Sequence, residues 1–171
     1  MKFIKKIKHN ISIIRHGGET PDSMLRSLIK QSIRTTLIIE EVDTPCAINV
    51  LITNDEGILK YNRKFRNIDK STDVLSFPMQ DFTNAGWCGN DVLEFDEDTG
   101  QLPLGDIIIS TETVLKQAND YVNTVEKETS FLIIHSTLHL LGYDHNNRKN
   151  KHIMRVREKI ILKEMGYPYD K

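Results

Sequence analysis

The chain has 171 residues, 39% of them hydrophobic and 27% charged, which are proportions typical of a water-soluble globular fold. Its 23 Lys and Arg nearly balance 24 Asp and Glu, so a net charge of −1 carries no global signal for a polyanionic partner. No run reaches the roughly 18–20 apolar residues needed to span a bilayer, and the basic start lacks the unbroken apolar core of a signal peptide. Cys46 and Cys88 form no CxxC pair, which argues against cysteine-held metal and for a reducing compartment. The expectation is a cytoplasmic protein with no membrane partner, folded as one domain over residues 1–171.

Taken in order, Ile11–Ile14 carries a weak strand pattern. Thr20 and Pro21 suit a helix start, with Thr20 as the cap and Pro21 at the first helical position. Met24, Leu25, Leu28, Ile29, Ile33 and Leu37 continue that helix to about Glu41. Beyond Pro45, the alternation of Ile48, Val50 and Ile52 predicts a strand over Cys46–Thr53. Asn54 is placed to cap a short helix over 55–65. A strand at 72–77 stops at Pro78. Residues 79–101 hold six acidic and no basic side chains, lack periodicity, and read as a long loop of the functional or mobile kind. Leu104–Ile109 is a further strand, and Ser110 caps a helix carrying Val114, Leu115 and Ala118. From about Glu128 a helix is apolar on most sides and should lie buried. A last helix over about 148–165 shows a basic outer face and ends in Gly166 and Pro168. The fold class expected is α+β: a small mixed sheet of about four strands with packed helices and a central buried metal-binding helix, zincin-like in plan.

That buried helix carries the chemistry. Three of the six histidines fall between positions 135 and 145. His135 and His139, four apart, share one helix face and can reach one ion. Gly142 can leave the helix with positive φ and return His145 as a third ligand. Three protein ligands with a fourth position open is the pattern of a catalytic zinc. The nearest template, H-E-x-x-H-x-x-G-x-x-H of zinc proteases, is matched at the histidines and glycine. It fails at Ser136, where the template has the glutamate that serves as general base. A phosphodiester makes a different demand, for positive charge on non-bridging and leaving oxygens, and a metal with an arginine meets it.

The segment Asn62–Pro78 then becomes informative. Thr72-Asp73-Val74-Leu75-Ser76-Phe77-Pro78 follows an asparagine–aromatic–arginine stretch. With His135–His145, Leu104-Gly105-Asp106-Ile107 and the basic final helix, it resembles the YbeY family of bacterial rRNA-maturation endoribonucleases over about residues 20–168. The family's metal signature, H-G-x-L-H-x-x-G-Y-D-H, is matched at every position except Ser136, where the family usually has glycine.

The resemblance implies a single-strand-specific, metal-dependent endoribonuclease acting in rRNA processing, at the 3′ end of small-subunit RNA, and in ribosome quality control. It implies one zinc ion held by His135, His139 and His145, with Arg66 as the catalytic residue on the scissile phosphate. Arg63 is its nearby rival. Ser76 and Ser136 are expected to bind substrate, although a bond from Ser136 to the preceding turn competes. Asp73 and Asp106 are expected to be structural, and Asp144 either orients a histidine or forms a turn. The expected partners are rRNA precursors and the ribosome, with no DNA. The alternatives are a zinc metalloprotease-like hydrolase and a non-catalytic ribosome-assembly factor with a structural metal.

Overall fold

The alternating pattern at Cys46–Thr53 builds β2 in the interior of a four-stranded sheet, where Ile48, Val50 and Ile52 are buried. The computed structural model describes residues 7–16, 21–87 and 91–167. Strands β1 (Asn10–Arg15), β2 (Cys46–Thr53), β3 (Val74–Pro78) and β4 (Leu102–Ser110) are ordered β1-β2-β4-β3. The first three in that order run parallel, and β3 pairs antiparallel with β4 at one edge. The expected α+β class with a small mixed sheet is therefore what the chain adopts.

Helices α1 (Ser23–Ile39), α3 (Thr111–Asp120), α4 (Val125–Leu140) and α5 (Arg148–Glu164) share the main core with the sheet. Helix α2 (Asp55–Arg66) packs elsewhere, placing Ile58 against Leu75 and Ile108. Since neighbouring residues of a strand point to opposite faces, β3 divides its side chains. Leu75 and Phe77 lie with Ile58 and Tyr61 under α2, whereas Val74, Ser76 and Pro78 open towards α4. Helix α4 is central: Ile133, Ile134, Leu138 and Leu140 are all fully buried. Among the described residues no helix is long and apolar enough to cross a membrane.

Several boundaries differ from expectation. Thr20 lies outside the described residues. The first helix begins at Ser23, because the Asp22 carboxylate accepts from the Met24 amide, so Pro21 precedes the helix instead of opening it. That helix ends at Ile39, short of Glu41. Helix α4 begins at Val125, three residues earlier than Glu128, and is capped by Thr124, whose side chain accepts from the Lys127 amide at 3.1 Å. Asn54 and Ser110 cap α2 and α3 as expected. Strand β4 runs two residues further back than Leu104 and carries a bulge: Pro103 faces Ala47 and Gly105 faces Ile48. At Gly105, φ is 139° and a Cβ would stand 2.2 Å from the Phe77 carbonyl oxygen, so glycine is required there. Gly166 ends α5 with positive φ, and Pro168 lies outside the described residues.

The acidic segment is neither free nor featureless. The Gln80 amide donates to the carbonyls of Glu94 and Pro103. The Gly86 amide donates to the Leu141 carbonyl at 3.0 Å, and Trp87 reaches Asp43. Phe82 packs against Gly142, so this segment braces the turn that follows α4.

Candidate metal centre and cleft

A cleft of about 490 Å³ opens between β3 and α4, lined by Arg66, Asp73, Val74, Ser76, Pro78, Phe131, Leu132, His135, His139 and His145. The sheet order explains how so many distant positions converge. Because β3 is an edge strand, Arg66 at the end of α2 can reach from one face of the sheet around that edge to the other. The chain between them is set by Asn62, buried, whose amide donates to the Lys70 carbonyl at 2.8 Å. The Arg66 guanidinium donates to the Ser76 carbonyl at 3.1 Å and lies 5.9 Å from the centre of the Phe77 ring. Arg63, the rival, is turned away to Asp69, with Nε 2.9 Å from the carboxylate.

The three histidines gather as their spacing requires. One ligand nitrogen from each lies within 4.8 Å of the others. The His135 Nδ1–H donates to the buried Glu158 carboxylate at 2.7 Å. The His139 Nδ1 stands 2.7 Å from the Tyr143 carbonyl oxygen, which can only accept, so this nitrogen carries the proton. With Nδ1 so engaged in both rings, each presents its Nε2 to the cleft, and the two Nε2 atoms stand 3.1 Å apart. Two nitrogens that close need a positive charge between them, a shared proton or a metal ion. Nitrogens sharing a tetrahedral zinc would stand about 3.4 Å apart, so the donor set fits a metal ion. Burial is the main reason that the His139 pKa falls to about 4, followed by the neighbouring His135. It is therefore neutral and able to ligate at physiological pH.

His145 is delivered by the turn. Gly142 adopts a φ of 84°, and a Cβ there would lie 2.6 Å from that of Phe82. Tyr143 anchors the segment from inside: its hydroxyl donates to Glu40 at 2.6 Å, and Arg157 holds the other Glu40 oxygen at 2.7 Å. Asp144 accepts from the Asn146 amide and the Asn150 side chain, so its role here is turn formation.

Of the other expected site residues, Ser76 borders the cleft. Ser136 does not. It is fully buried, and its hydroxyl makes no hydrogen bond to the preceding turn or anywhere else. The reason is angular: it sits between His135 and the core-facing Thr137, on the side of α4 away from the opening. Asp73 borders the cleft but is occupied, accepting from the Val74 amide at 2.7 Å and from Gln117 at 2.9 Å. Asp106 lies outside the cleft and accepts from Asn49.

Sequence reading missed Glu158, Tyr143 and Phe131. Glu158 had a signal: it is the acidic residue on the inward stripe of Met154, Ile161 and Leu162, in a helix whose outer face is mainly basic. A carboxylate there needs a buried partner.

Fold and cleft together define a class: a small α+β protein with a three-histidine group, able to take a metal ion, opened beside an arginine. A family model described as Endoribonuclease YbeY matches residues 10–166. The Clostridium kluyveri protein of that name is 41% identical over 145 residues, covering 82% of this chain and 88% of its own. One from a Thermoanaerobacter species is 39% identical and covers 92% and 98%. A solution structure from Thermotoga maritima superposes with a TM-score of 0.55 at 27% identity, covering 91% of both chains. This chain belongs to the YbeY endoribonuclease family.

Proposed function

We propose that the 171 residues form a single cytoplasmic catalytic domain that cuts single-stranded RNA in ribosomal-RNA precursors, including 3′-end maturation of small-subunit RNA and ribosome quality control. His135, His139 and His145 would hold one zinc ion. The observation that carries this reading is the gathering of one nitrogen each from three histidines within 4.8 Å, in the same cleft as Arg66.

When bound, a divalent ion supplies Lewis acidity at the phosphate. The chain's own residues do the rest. Glu158 and the Tyr143 carbonyl fix the tautomers of two ligands, so their lone pairs need no reorganisation. Arg66 has five N–H donors; the Ser76 carbonyl takes one and steadies the guanidinium. Its remaining donors can bind the non-bridging oxygens by charge-assisted bonds that strengthen as charge develops. Ser76, which borders the cleft, would contact the RNA strand.

The test combines metal analysis with cleavage of a single-stranded precursor fragment by wild type, His139→Ala and Arg66→Ala. Wild type should carry one zinc per chain. His139→Ala should lose both metal and activity. Arg66→Ala should keep the metal and lose roughly 10²–10³-fold in turnover. Cleavage retained by both variants would overturn the assignment.

A further inference from the structure

The cleft is chemically divided. Its lining is of two chemical kinds: Arg66, Asp73, Ser76 and the three histidines are polar, whereas Val74, Pro78, Phe131 and Leu132 are apolar. A phosphate has no use for the apolar group. We propose that Val74, Phe131 and Leu132 form a nucleobase subsite, in which the Phe131 ring stacks on one unpaired base of the strand beside the scissile phosphate. This rests on the endoribonuclease reading given above.

Phe131 precedes His135 by one turn of α4, so its ring is about one helical pitch, roughly 5.4 Å, from the metal-ligating ring. The two ring centres are in fact 6.0 Å apart, with planes inclined by 36°. A nucleotide with its phosphate against Arg66 and the histidines is long enough to lay its base on this neighbour. The ring is also placed in advance. It packs against the main core on one side, and its other side borders the cleft, whereas Ile133 and Ile134 on the same helix are wholly buried. A ring fixed in this way loses little freedom on stacking. Asp73 adds direction: its carboxylate borders the cleft and disfavours a phosphate near it. The backbone therefore follows Arg66 while the base turns to the apolar wall. A paired base has both faces covered and cannot enter, so the subsite selects single strands.

The experiment measures cleavage of a single-stranded oligoribonucleotide by wild type, Phe131→Ala, Phe131→Leu and Phe131→Trp, with metal content determined for each. Phe131→Leu keeps the core packing and removes the stacking face; Phe131→Trp keeps a stacking face. Stacking on one base corresponds to roughly 5- to 100-fold in kcat/KM, lost in the Ala and Leu variants at unchanged metal content and largely kept in Trp. A substrate with an abasic residue beside the mapped cleavage bond should lose the same factor with wild type. It should lose nothing further with Phe131→Leu. If the two losses multiply on both sides of the bond, or Phe131→Leu cleaves normally, the subsite is wrong while the nuclease reading stands. Wild-type protein that carries metal and cuts no RNA would overturn both.

Discussion

Glu158 offers the sharpest single test of how the fold prepares the three-histidine group. The residue is 4% exposed, and its carboxylate accepts from His135 Nδ1 at 2.7 Å, joining α5 to α4 across 23 residues of sequence. Glu158→Gln keeps the length and one acceptor oxygen, so it removes charge and leaves orientation. Glu158→Ala removes both, and frees the His135 ring to turn or change tautomer. Outer partners of this kind are worth about 10–100-fold in metal affinity, which is about 1.4–2.7 kcal/mol. Glu158→Ala should reach the upper end and Glu158→Gln the lower. Fold stability of the metal-free protein should fall by about 1–3 kcal/mol in the Ala variant, since a buried donor loses its acceptor. The assay is zinc competition against a chromophoric chelator at fixed pH, alongside denaturant unfolding after chelation. Wild-type zinc affinity in a folded Glu158→Ala protein would refute the idea that this carboxylate orients the ligand.

Three further outcomes follow from the geometry. Gly142→Ala should cost about 1–2 kcal/mol through its left-handed backbone alone, and more through Phe82; an unchanged melting temperature would contradict the close approach. Tyr143→Phe removes the bond to Glu40 yet leaves Arg157 in place, so a loss near 1 kcal/mol is expected by chemical denaturation. Burial, helped by Asp43, pushes the Cys46 thiol up to about 12. Below that pH the thiol form dominates, so at pH 8 only about 10⁻⁴ is thiolate. In a Cys88→Ser background, alkylation of the folded protein should be slower than that of a free cysteine by about a thousandfold; the free rate would show Cys46 to be open.

Patterns within one element were legible in the sequence, and meetings between elements were not. The alternation in β2, the caps at Asn54 and Ser110, the apolar α4 and the spacing of His135, His139 and Gly142 are all local. Each is read from residues fewer than about ten apart. The preference for Arg66 over Arg63 in the cleft depends on β3 being an edge strand, which no periodicity reports. Glu158 waits on the packing of α5 against α4. Ser136, expected to bind substrate with a bond to the preceding turn as the competing reading, is sent into the core by its helical angle. The acidic segment looked structureless because its order comes from Gln80, Gly86 and Trp87 bonding to residues far along the chain.

The placement of β3 also bears on how copies of this protein meet one another. An outermost strand offers unpaired backbone groups to any passing chain. Its five residues are few, and it ends in Pro78, which has no N–H to donate. Arg66 already occupies the Ser76 carbonyl and sets a charge beside the strand. The groups that keep the cleft open to a ligand thus also discourage sheet-to-sheet association, and replacing Pro78 or Arg66 should be read for aggregation as well as for activity.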